Sequence, residues 1–311
     1  MNPFSRLYAT CNAGTNGEKM AGLASFPSLI DVELTNACNF RCLMCPTGNK
    51  AMRRVSGFMP AEVWARLLDE CREWKPALRF IGWGEPTLHP RLSEFVWQAS
   101  QAGMLTHINT NGSKLTESLA VKLIDAGLDS IKFSFQGVDR KSYAEMRNTD
   151  FFDGLLEVVG MVWRLGNGKP YIQVSTTTTY EPPEQVEEFK NLFGQIADQV
   201  TVGKTIFSHM DMGAVRLRPD EVTRLASLSA FEPKLKHPDP CPEVFDKLTV
   251  QWDGSVRVCC NDYDGITNLG NILEKPLAEI WRAKTIEDYR ASLAGNNYSG
   301  PLCANCWNYI A

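Results

Sequence analysis

Short runs of β-branched, aromatic and other apolar residues alternate, over the first two thirds of the chain, with stretches whose apolar positions recur every three or four residues. The runs predict buried strands at Leu29–Thr35, Arg79–Trp83, Leu105–Thr110, Ser130–Phe135, Tyr171–Thr177 and Gln199–Ile206. The stretches between them predict helices at Ala61–Trp74, Arg91–Ala102, Glu117–Ala126, Phe152–Leu165 and Glu184–Ile196. Thr116 stands where a helix N-cap is wanted, and Gly103 and Gly127 follow helices where a left-handed residue ends them. Strands alternating with helices in this way predict parallel βα units joined by right-handed crossovers. Periodicity alone leaves an open doubly wound sheet and a barrel equally available. Both gather chemistry at the C-terminal ends of the strands.

The rhythm stops near residue 207. A linker over 208–240 is rich in Pro and charge and holds one predicted helix, Pro219–Leu228. The tail, 241–311, begins with a predicted hairpin: Leu248–Trp252 and Val256–Cys259 flank Asp253-Gly254, a strong turn signal. A helix over Leu277–Leu293 follows Pro276. Residues 1–28 are polar and Gly/Asn-rich and read as a loose arm ahead of a core at 29–207.

Composition narrows the class. The chain has 311 residues, 44% hydrophobic and 22% charged, which suits a globular protein and excludes disorder. Its 32 Lys+Arg against 36 Asp+Glu leave a net charge of −4, not the basic footprint of a nucleic-acid binder. No apolar run is long enough to span a membrane, and the N-terminus lacks a signal-peptide core. The expectation is a cytoplasmic protein with no membrane or nucleic-acid partner.

In that compartment thiols stay reduced, which makes the 10 cysteines the most informative residues. Cys38, Cys42 and Cys45 fall on one loop after the first strand, while Cys241, Cys259, Cys260, Cys303 and Cys306 fall in the tail. Clusters at such short spacing read as metal or cofactor ligands, not as a disulfide framework. Structural zinc and iron–sulfur cubanes both take four protein ligands. Three local cysteines therefore imply either a distant fourth ligand or an iron left open to a substrate or cofactor.

The string ELTNACNFRCLMCP, with Cys-x3-Cys-x2-Cys directly after the first strand of a six-fold βα array, resembles the radical S-adenosylmethionine (SAM) superfamily. The resemblance implies a partial (β/α)6 barrel in which Cys38, Cys42 and Cys45 hold a [4Fe–4S] cluster. The open iron of that cluster would chelate SAM, whose cleavage yields a 5′-deoxyadenosyl radical able to remove hydrogen from a C–H bond. Further family positions follow in order along successive strands. Gly82-Trp83-Gly84-Glu85-Pro86 resembles the GGEP motif that meets the SAM methionine, with Trp83 departing from the usual glycine. Asn111 after the third strand, and Ser134 and Gln136 around the end of the fourth, match positions near the SAM methionine and ribose, and Met44 matches the bulky residue before the third cysteine. Each of these strings taken singly also suits an ordinary strand-end turn. On residue chemistry alone, glycines admit close backbone approach and Glu85 can accept from an ammonium.

The tail resembles a short SPASM domain of the twitch type. The signs are Cys241-Pro242, Asp253-Gly254 ahead of Cys259, Leu269-Gly270-Asn271, Ile280-Trp281 and Cys303-x2-Cys306. The resemblance implies an auxiliary [4Fe–4S] cluster on Cys241, Cys259, Cys303 and Cys306, two clusters in all; spacing alone also admits a zinc ribbon, and with it a non-catalytic interaction module. Strand alternation predicts that Cys260 points away from Cys259, either as a packing thiol or as a hydrogen-atom donor.

The resemblance further implies a radical SAM oxidoreductase that oxidises a secondary alcohol of a sugar or aminocyclitol, with an electron donor such as flavodoxin or ferredoxin. Epimerisation, dehydration and modification of a short ribosomal peptide are the alternatives. Only about 28 residues precede the first strand, too few for a separate peptide-binding domain, which favours a small-molecule substrate. Candidates for proton or hydrogen handling are Cys260, His209 and Asp211, none singled out by its pattern. Arg216, Arg218 and Arg224 read either as a solvated charge run or as ligands for a phosphorylated substrate.

Overall fold

The computed structural model describes residues 1–207, 210–233, 239–298, 300 and 302–306. The first half runs α1 (Ser5–Cys11), α2 (Asn16–Ala21), β1 (Leu29–Val32), α3 (Ala61–Cys71), β2 (Ala77–Phe80), α4 (Leu92–Gln101), β3 (Thr106–Thr110), α5 (Glu117–Asp125) and β4 (Ser130–Ser134). It continues with α6 (Arg140–Arg147), α7 (Phe152–Gly166), β5 (Tyr171–Thr178), α8 (Pro183–Phe193), β6 (Gln199–Lys204) and α9 (Pro219–Ser229). The tail adds α10 (Pro242–Asp246), β7 (Lys247–Val250), β8 (Ser255–Arg257), β9 (Asn268–Asn271), α11 (Leu277–Trp281) and α12 (Lys284–Ala294).

The six predicted strands are all present and lie side by side in chain order, all parallel. A doubly wound sheet reverses its strand order at a switch point. Here nothing reverses, so every crossover helix falls on one face and the sheet curls into the partial (β/α)6 barrel. Apolar alternate residues such as Ile30, Val32, Leu78, Phe80, Ile108, Ile131, Phe133, Ile172 and Val174 are buried against the helices. The polar alternates, Asp31, Arg79, His107, Lys132 and Gln173, therefore face the barrel interior. There Arg79 holds Asp31 through two bonds of 2.6 and 2.7 Å.

The tail extends the same sheet. Strand β7 runs parallel to β1, with Asp31 opposite Thr249, and the β8–β9 ribbon continues antiparallel beyond it. The Asp253-Gly254 turn forms as expected, with Gly254 at φ +84°.

Three expectations need correction. Residues 1–28 are not a loose arm. Thr15 and Glu18 form a reciprocal capping box that starts α2, a signal legible as Thr-x-x-Glu. Phe4 and Cys11 are buried, and Phe4 lies edge-on to His107 at 5.6 Å, so the arm covers the N-terminal end of the barrel. The helix expected over 277–293 is two helices. Ala283 is extended between them, and the break lets the Trp281 indole donate to the Ala24 carbonyl while Arg290 stacks on its ring at 3.9 Å. The predicted strand at Val256–Cys259 ends at Arg257, which matters for the thiols that follow. Among the described residues no helix is long and apolar enough to cross a membrane.

Candidate active site

A cavity of about 320 Å³ opens at the C-terminal ends of β1 to β5. The loop after β1 lines it with Cys38, Cys42, Met44 and Cys45, and the turn after β2 with Gly82, Trp83, Gly84 and Glu85. Asn111 after β3 and Ser134 and Gln136 around the end of β4 complete the predicted set. Segments up to about a hundred residues apart in sequence are thus gathered on one wall, as the strand-end rule requires. None of the ten cysteines is in a disulfide. Burial pushes the Cys38 thiol up to about 12 and raises Cys45, with Cys42 opposing ionisation of both. Crowded thiols, two of them raised by burial, are what a cationic cluster stabilises as thiolates. The residues fit an iron–sulfur group.

The turn after β2 is shaped by its glycines. A Cβ on Gly84 would lie 2.2 Å from the Thr35 carbonyl oxygen and 2.6 Å from that of Ala37, both backbone. Glu85 also has a structural role that its motif did not show. Its buried carboxylate accepts from the Thr87 amide at 3.1 Å, the Thr87 hydroxyl, the Thr110 hydroxyl at 2.7 Å and the Asn111 amide at 2.7 Å. Three of these donors fall on Oε1 and only the Asn111 amide on Oε2, so Oε2 keeps an acceptor position. Glu85 thus ties the end of β2 to the end of β3 while it lines the cavity. Asn111 donates to the Asn39 side chain at 3.2 Å, and Gln136 donates to Thr205 at 2.9 Å.

Several interior residues escaped the sequence reading, Arg147 and Lys132 among them. Arg147, at the end of α6, is buried, lines the cavity and places Nη1 3.7 Å from Cys42 Sγ; its Nε has no hydrogen-bond partner among the described residues. The Asp139-x-x-Ser142 capping pair was the legible sign of this helix. Lys132 is the central residue of β4, opposite Asn109 of β3 and one pleat below Ser134. Both of those line the cavity, and Lys132 faces the barrel interior one pleat beneath that lining. Burial and the neighbouring Arg79 push it down to about 8, against the pull of Asp31 and Cys260. Burial likewise lowers His107, beside it, to about 3, so that ring is neutral.

In the tail, burial pushes Cys241 up to about 12 and Cys303 up to about 11, and Cys306 acts on both. The Tyr289 hydroxyl, raised chiefly by burial, feels both Cys303 and Cys259. The four predicted ligands are thus linked electrostatically, Cys241 and Cys303 through Cys306, and Cys303 and Cys259 through Tyr289. Cys260 does not turn away from Cys259 as alternation predicted. The strand has ended, and the ligand atoms of Cys259, Cys260 and Glu243 lie within 4.8 Å of one another. The other candidates lie elsewhere. Asp211 forms an exposed ion pair with Arg53 at 3.0 Å, and His209 lies outside the described residues. Arg216 bonds nearby backbone carbonyls, Arg218 pairs with Glu221 and Arg224 with Asn148, so all three serve local structure.

The family model of the Radical SAM superfamily matches residues 32–203, and that of the SPASM iron–sulfur cluster-binding domain matches residues 241–307. A relative from Pyrococcus furiosus, named tungsten-containing aldehyde ferredoxin oxidoreductase cofactor-modifying protein, is 27% identical over 88% of this chain and 86% of its own. A PqqA peptide cyclase from Streptomyces rochei is 24% identical over 90% of this chain and 81% of its own. Among solved structures, BtrN in complex with AdoMet and 2-DOIA is 19% identical, with a TM-score of 0.58 over 92% of this chain and 94% of that one. SuiB from Streptococcus suis, bound to its precursor peptide SuiA, is 16% identical, with a TM-score of 0.68 over 88% of this chain and 69% of that one.

Proposed function

This chain belongs to the Radical SAM superfamily, and we propose that it oxidises a secondary alcohol of a small polar substrate such as a sugar or aminocyclitol. One observation carries the reading. Trp83 lines the cavity beside the first thiol set, and its indole N–H donates to the carbonyl of Cys260 at 2.9 Å, so the tail turn that carries Cys259 and Cys260 abuts the cavity wall. When bound, a cluster with SAM on one side supplies hydrogen-atom abstraction, and a cluster on the other supplies one-electron chemistry.

The chain's own residues prepare that chemistry. Cys38, Cys42 and Cys45 hold the first cluster; Cys241, Cys259, Cys303 and Cys306 hold the second. Arg147, with a buried guanidinium that still has a free donor, pairs with the carboxylate of SAM. The glycine-bounded turn at 82–84 offers backbone at close range, and Asn111, Ser134 and Gln136 orient SAM through hydrogen bonds. Ser175, Thr176 and Thr177 add hydroxyls to the wall, a lining that suits a polyhydroxylated substrate better than an apolar one. Lys132 Nζ, in the barrel interior beneath that lining, accepts the hydroxyl proton of that substrate. A flavodoxin or ferredoxin serves as the external electron donor.

The near full-length relative named for a peptide substrate keeps peptide modification as a second reading. The test is anaerobic reconstitution followed by incubation with deuterated alcohols and with peptides. About eight irons per chain are expected for two cubanes. The expected result is deuterium in 5′-deoxyadenosine together with a ketone product. Transfer from a peptide and from none of the alcohols would replace this reading with the second.

A further inference from the structure

The departure at position 83 reaches the tail thiols through a single peptide group. The Trp83 indole donates to the carbonyl oxygen of Cys260 at 2.9 Å. The nitrogen of that same planar unit belongs to Asn261, whose N–H donates to Cys259 Sγ at 3.4 Å. A donor placed on a peptide oxygen polarises the unit and strengthens its N–H as a donor in turn. Hydrogen bonds to cluster sulfurs are among the terms that set the potential of an iron–sulfur site. The cavity wall and a tail thiol are thus joined by two hydrogen bonds in series.

The geometry is held from several sides. A carboxylate oxygen of the buried Glu243 lies within 4.8 Å of the Cys259 and Cys260 sulfurs, against the same turn. Trp83 lies edge-on to Tyr263 at 5.8 Å, its amide donates to Glu33 at 3.2 Å, and its carbonyl accepts from the Thr47 hydroxyl, just beyond Cys45. A glycine at this position would supply neither the ring nor the indole donor.

We propose that Trp83 is a positioning residue that couples the substrate cavity to the tail cluster: its indole N–H, acting through the 260–261 peptide, strengthens the hydrogen bond to Cys259 and raises that cluster's reduction potential. This rests on the reading that Cys241, Cys259, Cys303 and Cys306 hold a cluster.

Two replacements at position 83 separate shape from hydrogen bonding. One is Trp83→Phe. The other is benzothienylalanine, which keeps the bicyclic ring and loses only the N–H. Both proteins, reconstituted anaerobically, are titrated redox-wise under electron paramagnetic resonance beside the wild type. The tail cluster's midpoint is expected to move negative in both, and by more than that of the cluster on Cys38, Cys42 and Cys45. Loss of the tail cluster alone from the benzothienylalanine protein would also support the coupling, since one N–H is all that was removed. An unchanged tail midpoint in that protein, with both clusters fully loaded, overturns the proposal. A wild-type protein with only about four irons overturns the reading of the tail instead.

Discussion

Replacing Gly84 with alanine tests the claim that backbone packing in the turn after β2 holds the cysteine loop in place. The added Cβ would stand 2.2 Å from the Thr35 oxygen, 2.7 Å from the Thr35 carbonyl carbon and 2.6 Å from the Ala37 oxygen. None of these is a side chain that can swing aside. The segment 35–37 leads directly into Cys38, and the Glu85 amide donates to the Ala37 carbonyl at 2.9 Å. Overpacking costs about 1–3 kcal/mol and the strained hydrogen bond about 1 more, giving roughly 2–4 kcal/mol. At about 2–4 °C per kcal/mol, Tm should fall by roughly 5–15 °C. Gly82→Ala is the control. Its Cβ would meet the Glu33 side chain at 2.6 Å, which can yield in part despite its ion pair with Arg54, so a smaller loss is expected. The assay is thermal unfolding under anaerobic conditions, with iron content and 5′-deoxyadenosine yield measured alongside. A Gly84→Ala protein with the Tm, iron content and yield of the wild type would refute the packing argument.

Arg147→Met should weaken SAM binding roughly 10- to 100-fold, the value of charge-assisted hydrogen bonds to a carboxylate, with Arg147→Lys recovering only part because the planar fork is lost; equilibrium dialysis measures it. The Lys132 amine, pushed down from 10.5 to about 8, is disfavoured in its charged form by the fold. The stability it contributes is present above the ordinary value and is lost as pH falls through about 8. Lys132→Met should therefore raise Tm at pH 7 relative to the wild type, and the gain should shrink towards pH 10. With an accepted alcohol, the wild-type rate should climb as pH passes about 8, and the variant's should not. Cys303→Ala should lose roughly half the iron and substrate turnover while still forming 5′-deoxyadenosine. Alanine at Cys38, Cys42 or Cys45 should abolish 5′-deoxyadenosine formation outright.

The strand rhythm, the two cysteine groups and the order of the strand-end motifs were legible in the chain. Each depends on near neighbours: period-two alternation, ligand spacing, and the turn that follows a strand. The cavity wall assembled as those motifs implied because parallel strands in chain order bring their C-terminal ends together. What local pattern left out was set by contacts between segments far apart in sequence. Residues 1–28 look polar as a string, yet Phe4 and Tyr8 lie against His107 and Arg79 beneath the barrel. The helix expected over 277–293 breaks because Trp281 has a partner at Ala24. Glu85 read as an acceptor for a ligand, and only the fold shows that it also ties together two strand ends.

Lys132 is the sharpest case. Its place between apolar neighbours on a strand was readable, but a lowered amine pKa needs Arg79 and the barrel wall around it. The same holds for Trp83. In the sequence it is only a departure from a glycine motif, and the tertiary structure alone sets its indole on the tail. Alternation and spacing are properties of a few consecutive residues, so the sequence by itself determined the six core strands, the main crossover helices and the grouping of the thiols. Hydrogen bonds, desolvation and charge act through space, so only the folded chain decided what each side chain faces.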